Sequence, residues 1–388
     1  MESTTKSKGA AQEQVNTYRD ELISLSHRIH AHPEIGFEEV KACSWLSDLL
    51  SRAGLVVESS VCDLPTAFIA RAGSGPLHIA ICAEYDSLPG IGHACGHNII
   101  AAMAAGAGIA LSRIADEIGI TVRVIGTPAE ENGGGKILLL ERGAFSGSHV
   151  AMMAHPYPWD MSEPTIIAGE VFDVHYSGRA AHASSFPELG INAADAMTVA
   201  QTAIGLVRQH IQPTDRIHGI ITRGGDAPNI IPSQTSAQYM IRSHTLEDLD
   251  ILRDKVNRCF ESGAVATGST LRIDREPRPY AHMKHDGEIA TLYRHNAESL
   301  GRVFPDLGRK YQRLAVSTDM GNLSLAIPSI HPMIGINSFP VVNHQSEFAA
   351  YCVMAEADRC VVDGATALAW TAIDMATNPS ICCRLLST

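Results

Sequence analysis

A cysteine and a histidine two residues apart lie in the most chemically informative segment, residues 83–98. Cys95 and His97 lie on a glycine-containing turn, where a thiolate and an imidazole can face one divalent ion. Both groups are good ligands for zinc-like metals. Glu84 and Asp86 precede them, directly after an apolar run. Alone, the Cys-Gly-His pattern also fits a buried thiol beside a surface histidine, so its interpretation depends on further ligands.

Two adjacent glutamates, Glu130 and Glu131, follow another apolar run. One carboxylate can bind a metal ion while its neighbour takes a proton from water. His155 and His344 each follow an apolar run as well, and Asp86 could orient a ligand from behind. Singly, these features also fit a solvated acidic turn and structural histidines. Five residues together supply enough ligands for two ions: Cys95, His97, Glu131, His155 and His344.

The Gly-Gly-Gly-Lys run at residues 133–136 lacks the Gly-x-x-x-x-Gly-Lys-Ser/Thr frame of a phosphate-binding loop. A nucleotide site is therefore not expected there. We expect the glycines to let the backbone pass close to the site.

The segments that carry these residues alternate between strand and helix patterns. One helix is predicted over residues 14–30, and later apolar runs predict strands and helices in alternation. This order predicts a layered α/β fold with a mostly parallel sheet, in which ligands bind beyond the carboxyl ends of the strands. The predicted strands are 67–70, 77–83, 120–125 and 150–154, and the helices between them are 97–115 and 136–142.

The middle of the chain has a different order, β-α-β-β-α-β, which is that of a ferredoxin-like unit. Its strands are predicted at 171–176, 217–222, 234–242 and 270–275, with helices at 191–211 and 246–266. Thr245 and Asp248 form a capping box at the start of the second helix. We therefore expect a discontinuous metal-binding domain, residues 1–168 and 281–388, with a smaller domain inserted at residues 169–280.

Composition narrows the function classes. The 388 residues are 45% hydrophobic and carry a formal net charge of −12, which repels phosphate backbones and anionic lipids, so no nucleic-acid or membrane partner is expected. The most apolar stretch, residues 99–114, falls short of the roughly 20 residues that a membrane span needs. Nine cysteines without a regular spacing predict free thiols in a reducing cytoplasm.

Five motifs together resemble one family, the dinuclear metallopeptidases that include aminoacylases, glutamate carboxypeptidases and hippurate hydrolases. Within it the sequence is most similar to the subgroup of p-aminobenzoyl-glutamate hydrolase and the β-alanyl-lysine dipeptidases. Beside the Cys95/His97 segment, the motifs are His-Pro-Glu-Ile-Gly-Phe-Glu-Glu at 32–39, Pro-Ala-Glu-Glu at 128–131, Gly-Arg-Ala-Ala-His-Ala at 178–183 and Asn-Ile-Ile-Pro at 229–232.

The resemblance implies a role for each matching residue. Glu130 would be the general base, His182 would stabilise the oxyanion, and Asn229 and Arg242 would hold the substrate's carboxylate. Two divalent ions are implied, with zinc favoured by the thiolate and manganese or cobalt as alternatives. A homodimer is implied, with His182 serving its own site or the partner subunit's site. The implied metal ligands are Cys95, His97, Glu131, His155 and His344.

These expectations lead to one main hypothesis and two alternatives. The main hypothesis is a metal-dependent amidohydrolase that cleaves N-acyl amino acids or related conjugates with a free carboxylate. The first alternative is a dipeptidase or carboxypeptidase that acts on β-alanyl or other dipeptides. The second is a non-catalytic metal-binding dimer, which Glu130 disfavours because a structural metal site has no use for a second carboxylate beside the ligand.

Overall fold

A computed structural model describes residues 2–308 and 315–387 of the chain. The described residues form two compact units. The first comprises residues 2–165, 284–308 and 318–387, and the second comprises residues 166–283 and 315–317. Within the described residues, no helix is both long and apolar enough to span a membrane.

The first unit is built on a six-stranded sheet of order β1-β2-β4-β3-β5-β11. Strands β3, β4, β5 and β11 run parallel, and β2 pairs antiparallel with both β1 and β4. A separate parallel pair joins β6 to β12. The strands are β1 (Val56–Ser59), β2 (Phe68–Ala72), β3 (Leu77–Ala83), β4 (Ile120–Gly126), β5 (Val150–Met152), β6 (His155–Tyr157), β11 (Ser329–Ile330) and β12 (Met333–Gly335).

Helices cover this sheet. Those of the first unit are α1 (Glu2–Thr17), α2 (Arg19–Ala31), α3 (Val40–Arg52), α4 (His97–Ser112), α5 (Ala115–Ile118), α6 (Gly135–Glu141), α9 (Gly287–Ser299), α10 (Met320–Ser324), α11 (Ser346–Tyr351), α12 (Ala355–Thr377) and α13 (Pro379–Leu386).

Helix α4 is the centre of this core, because every residue from its start through Leu111 is buried. A helix that is apolar on all sides is expected only where other elements surround it. Two of its glycines permit that close packing. A Cβ atom at Gly106 would lie 2.8 Å from Cβ of Ala365 in α12, and one at Gly108 would lie 2.2 Å from Cγ2 of Val124 in β4.

The second unit has four antiparallel strands in the order β10-β7-β9-β8. Numbered within the unit, this is the order 4-1-3-2, and helices α7 and α8 pack on one face of the sheet around Phe172, Tyr176 and Phe260. Its elements are β7 (Ala168–Ser177), α7 (Ala193–Val207), β8 (Arg216–Arg223), β9 (Gln234–Ser243), α8 (Leu246–Thr267) and β10 (Thr270–Arg275).

The predicted fold class, a layered α/β unit with an inserted ferredoxin-like unit, is confirmed. Two elements differ from the sequence prediction. The first helix begins at Glu2, and α1 ends at Thr17 before α2 begins at Arg19, so the single helix expected over 14–30 is wrong. The strand expected over 150–154 ends at Met152, and His155 begins a different strand, β6, whose partner is β12.

Candidate metal centre and active site

Neighbouring parallel strands bring the acidic residues to one edge of the sheet. Ala83 at the end of β3 is paired in register with Gly126 at the end of β4. Glu84 and Asp86 follow β3, and Glu130 and Glu131 follow β4. Because the carboxyl ends of parallel strands coincide, these four carboxylates gather at one place, where sheets of this kind bind ligands. We call this group, Glu84, Asp86, Glu130 and Glu131, the acidic cluster.

The start of α4 carries the histidine that faces the acidic cluster. His97 is the first residue of the helix and is fully buried. Its preceding residue, Gly96, has a φ of 83°, and a Cβ atom there would lie 2.4 Å from Cγ of Pro156. Only glycine fits this close approach without displacing Pro156. The turn that carries Cys95 and His97 therefore depends on the glycine between them.

Four carboxylates surround the imidazole of His97. Its Nδ1 lies 2.9 Å from Oδ1 of Asp86, so an Nδ1–H can donate to that oxygen. Its Nε2 lies 3.4 Å from Oε2 of Glu84 and 3.8 Å from carboxylate oxygens of both Glu130 and Glu131. With the proton on Nδ1, the lone pair of Nε2 points into the acidic cluster.

The remaining predicted ligands adjoin the same cluster. Sγ of Cys95 lies 3.4 Å from Nε2 of His155, and Nε2 of His344 lies 3.5 Å from Oε2 of Glu131. Nδ1 of His155 is 2.8 Å from the carbonyl oxygen of Pro156, which fixes its tautomer and leaves the lone pair of Nε2 available to a metal ion. Three sets of donor atoms each lie within 4.8 Å of one another: Cys95, His97 and His155; Cys95, Glu131 and His344; Glu84, His97 and Glu130.

The loop before α11 supplies His344 in an unusual backbone conformation. Its φ is 68°, in the left-handed region that non-glycine residues rarely adopt. Its backbone N–H donates to the carbonyl oxygen of Ala94 at 2.8 Å, next to Cys95. The side chain of Asn343 donates to the carbonyl oxygen of Pro156 at 3.1 Å. These contacts tie the loop to the segment of Cys95 and His97 and to the segment of His155.

The electrostatics of the cluster favour a bound cation. Burial, followed by the charges of Glu84 and Glu131, raises the pKa of Glu130 well above its usual value. Burial opposes a charged His97, yet Asp86 and Glu84 outweigh it and raise the pKa of that imidazole. The crowded carboxylates therefore favour a positive charge at this point. In contrast, burial lowers the pKa of His155 to about 4, which keeps it neutral and able to act as a ligand.

These residues fit a divalent metal ion. Among the described residues, buried Nε2 of His97 and buried Oε1 of Glu131 have no hydrogen-bond partner. Unsatisfied buried polar atoms are costly, and metal ions bound in this cluster would give each of them a partner. The donor set combines thiolate, imidazole and carboxylate groups, which suits zinc-like ions.

Asp86 connects two of the predicted ligands. Its Oδ1 faces Nδ1 of His97, and its Oδ2 accepts the backbone N–H of Glu131 at 2.9 Å. Burial alone would raise the pKa of the Asp86 carboxyl, but His97 and these hydrogen bonds lower it below its usual value. Asp86 is therefore an anion that touches His97 and the backbone of Glu131 together.

In the second unit, His182 and Asn229 are neighbours. Backbone pairing links the two segments, since the N–H of Ala183 donates to the carbonyl oxygen of Asn229 at 3.0 Å. Nδ1 of the exposed His182 accepts the backbone N–H groups of Ser184 and Ser185, both at 3.3 Å. In the neutral imidazole this leaves the proton on Nε2, as a hydrogen-bond donor.

Arg242 lies near the end of β9. A Cβ atom on the register neighbour Gly169 would lie 3.3 Å from Cγ of Arg242, so the glycine leaves room for this side chain. The guanidinium contacts the hydroxyl of Ser317 at 3.3 Å and Sδ of Met240 at 3.4 Å. Within the part of the chain that the structure describes, no carboxylate forms an ion pair with it, and burial lowers its pKa.

Sequence reasoning missed four residues around the cluster. Glu84 follows its strand, but no motif assigns it a role, and the sequence marks Lys136 only as the end of the glycine run. Asp319 had no sequence signal at all, although it forms an ion pair with Lys136. His331 had none either, and its ring stacks on that of His155 with centroids 5.5 Å apart.

An α/β unit with clustered donor atoms that could hold a metal ion, together with a ferredoxin-like insertion, is the architecture of a class of metal-dependent hydrolases. The family model "Peptidase dimerisation domain" of the M20 peptidases matches residues 169–267. The Xaa-Arg dipeptidase of Mus musculus is 37% identical over 389 residues, covering 96% of this chain and 90% of the relative. The chain belongs to the M20 family of metallopeptidases, and it is a metal-dependent amide hydrolase.

Further relatives agree with this assignment. A p-aminobenzoyl-glutamate hydrolase chain of Escherichia coli K12 is 33% identical, with the match covering 68% of this chain and 59% of the relative. A dinuclear metal-binding M20 peptidase structure from Bacillus subtilis has a TM-score of 0.67 at 21% identity, covering 92% and 99% of the two chains. An aminohydrolase structure from Staphylococcus aureus has a TM-score of 0.75 at 19% identity, covering 95% and 99%. These structural similarities concern the fold.

Proposed function

We propose that this enzyme hydrolyses the amide bond of a small substrate with a free carboxylate, either an N-acyl amino acid or a dipeptide. One observation carries the proposal: Glu130 and Glu131 both approach Nε2 of His97 at 3.8 Å. One glutamate can serve as a ligand while the other, held beside it, remains available for proton transfer. A purely structural metal site does not need this second carboxylate.

The proposed centre holds two divalent ions, with zinc favoured and manganese or cobalt as alternatives. When bound, such ions polarise the scissile carbonyl and make water a better nucleophile. Glu130 accepts the proton of the attacking water on a carboxylate oxygen and returns it to the leaving nitrogen. Asp86 keeps His97 in one tautomer and orientation. The proposed ligands are Cys95, His97, Glu131, His155 and His344.

The second unit supplies the proposed substrate contacts. We infer that Nε2–H of His182 donates to the oxyanion of the tetrahedral intermediate. Arg242 has a planar guanidinium that suits a carboxylate, and the absence of an ion-pair partner among the described residues supports this role. Asn229, beside His182, would donate its amide N–H groups to the same substrate.

The dipeptidase alternative gains support from similarity along nearly the whole chain. Xaa-Arg dipeptidases from Mus musculus and Homo sapiens are 37% and 36% identical to it and cover 96% and 93% of this chain. N-acyl amino acids, β-alanyl dipeptides and dipeptides ending in arginine should therefore be compared directly. Release of free amine is measured with chelated and zinc-restored aliquots of each reaction. Turnover that continues unchanged after chelation would contradict the proposal. No turnover on any substrate by the fully metallated protein would contradict it as well.

We further propose that the protein forms a homodimer through the inserted domain, residues 169–280, and that it is located in the cytoplasm. The match to a peptidase dimerisation domain supports the first point, and the nine free cysteines support a reducing compartment. If His182 serves the partner subunit's site, mixed Glu130→Gln and His182→Ala chains recover part of the activity. No recovery after demonstrated subunit exchange would assign His182 to the site of its own subunit.

A further inference from the structure

A buried ion triad lies directly behind the proposed metal centre. Nζ of Lys136 is 2.5 Å from Oε1 of Glu84 and 2.7 Å from Oδ1 of Asp319. All three side chains are fully buried. Burying three charges is expensive unless they are paired with one another, so the arrangement is not an incidental surface contact.

The backbone fixes Lys136 in this position. It is the second residue of α6, and a Cβ atom on Gly135 before it would lie 1.7 Å from the carbonyl oxygen of Pro128. Asp319 holds the lysine at two points, because its Oδ2 accepts the backbone N–H of Lys136 at 2.8 Å while its Oδ1 contacts Nζ. The ammonium group is therefore held from both sides, by Asp319 and by Glu84.

Glu84 links this triad to the metal centre. Its Oε1 contacts Lys136, and its Oε2 lies 3.4 Å from Nε2 of His97. We propose that Lys136 and Asp319 are positioning residues, which fix the Glu84 carboxylate against His97 and so preorganise the donors for metal binding. This inference rests on the proposed function, because it assumes that His97 is a metal ligand.

A positioning role for Lys136 and simple charge repulsion by its ammonium group predict opposite changes in metal affinity. Removing an ammonium group near a cation site should by charge alone strengthen the binding of a divalent ion. If Lys136 instead holds Glu84 in place, its loss should weaken binding, and groups that orient ligands typically contribute about 10–100-fold to metal affinity. The sign of the change therefore separates the two explanations.

The test measures Zn²⁺ affinity of the metal-free protein by competition with a chromophoric chelator. We expect Lys136→Met and Asp319→Asn each to weaken Zn²⁺ binding by about 10–100-fold. In a Glu84→Gln background, Lys136→Met should have less than about a threefold further effect, because coupled residues are non-additive. Unchanged or tighter binding in folded Lys136→Met and Asp319→Asn proteins would overturn the inference, as would full additivity with Glu84→Gln.

Arg123→Met is the matched control for losing a buried cation. Arg123 lies in β4 and donates to the hydroxyl of Ser148 at 2.8 Å and to the carbonyl oxygens of Ala144 and Ser146, none of which belongs to the acidic cluster. We expect its Zn²⁺ affinity to stay within about threefold of wild type, whatever its thermal stability. An equal loss in Arg123→Met would identify the lysine effect as general destabilisation. Failure of the wild type to bind Zn²⁺ would contradict the proposed metal centre instead.

Discussion

His97 and Asp86 form a buried contact in which imidazole Nδ1 and carboxylate Oδ1 lie 2.9 Å apart. The second oxygen of Asp86 accepts the backbone N–H of Glu131 at 2.9 Å. A single carboxylate thus sets the position of two proposed ligands, one on a helix and one after a strand. Loss of one charge at Asp86 should therefore affect both ligands together.

Asp86→Asn should lower kcat/KM and metal affinity by about 10–100-fold, because an amide nitrogen replaces one of the two accepting oxygens. Steady-state hydrolysis and chelator competition measure the two effects. Asp116→Asn is the control, since Asp116 is exposed and accepts hydrogen bonds from the backbone N–H and the hydroxyl of Ser74. Equal behaviour of the two variants would refute the orienting role of Asp86.

Glu130→Gln should lower kcat by about 10²–10⁴-fold while metal content stays unchanged, because the amide cannot accept the proton of the attacking water. Turnover is compared with metal content determined by elemental analysis. The exposed Glu117, whose nearest ion-pair partner is Lys6 at 3.9 Å, gives the control Glu117→Gln. Retained activity in Glu130→Gln would exclude Glu130 as the base, and loss of metal from it would make Glu130 a ligand.

Arg242→Met should lower kcat/KM for a substrate with a free carboxylate by about 10–100-fold, the scale of a hydrogen bond to a charged group. For the carboxamide of the same substrate, kcat/KM should fall much less, because the carboxamide lacks the charge that Arg242 would bind. Arg216 is opposite Arg242 in the β8–β9 register and is exposed, so Arg216→Met is the control. An equal loss for carboxylate and carboxamide would count against carboxylate binding.

Glu39 should make the metal-free protein less stable as the pH rises. Its side chain is buried, its Oε1 accepts the N–H of Ala129 at 2.8 Å, and burial raises its pKa from 4.5 to about 7. The folded state thus holds this proton more tightly than the unfolded state, so stability falls between about pH 4.5 and 7.

Glu39→Gln keeps an acceptor for Ala129 but removes this titration. The free energy of unfolding of wild type relative to the variant should fall with pH, by up to about 3 kcal/mol in total, since one pKa unit is about 1.4 kcal/mol. Denaturant unfolding at pH 5 and pH 8, with chelator present, measures the difference. A difference that is constant with pH would show that Glu39 has an ordinary pKa in the folded protein.

The sequence predicted the position of candidate site residues best where they directly follow strands of the sheet. Glu131 follows a sheet strand, and Cys95 and His97 lie just before and at the start of α4. His155 begins β6 and His344 lies in a loop, yet both adjoin the same cluster. Their roles remain predictions. The position of Glu131 could be anticipated because parallel strands present their carboxyl ends at one edge of the sheet, whereas β6 and the loop before α11 bring His155 and His344 there.

The sequence was uninformative where a contact joins distant segments. Lys136 and Asp319 are 183 residues apart, and neither periodicity nor spacing relates them. Helix α1 was missed because much of it is polar, although Ala11 and Val15 are buried and Lys8 pairs with Asp374 at 2.7 Å. Tertiary contacts, which no local pattern reports, stabilise this helix.

The glycines of α4 make the metal centre sensitive to changes far from it. His97 begins this helix, and Gly108 lies eleven residues further on, about 16 Å along the axis at 1.5 Å per residue. A side chain at Gly108 would collide with Val124 and push the helix away from the sheet. We therefore expect a larger side chain at this position to weaken metal retention, although every ligand is intact.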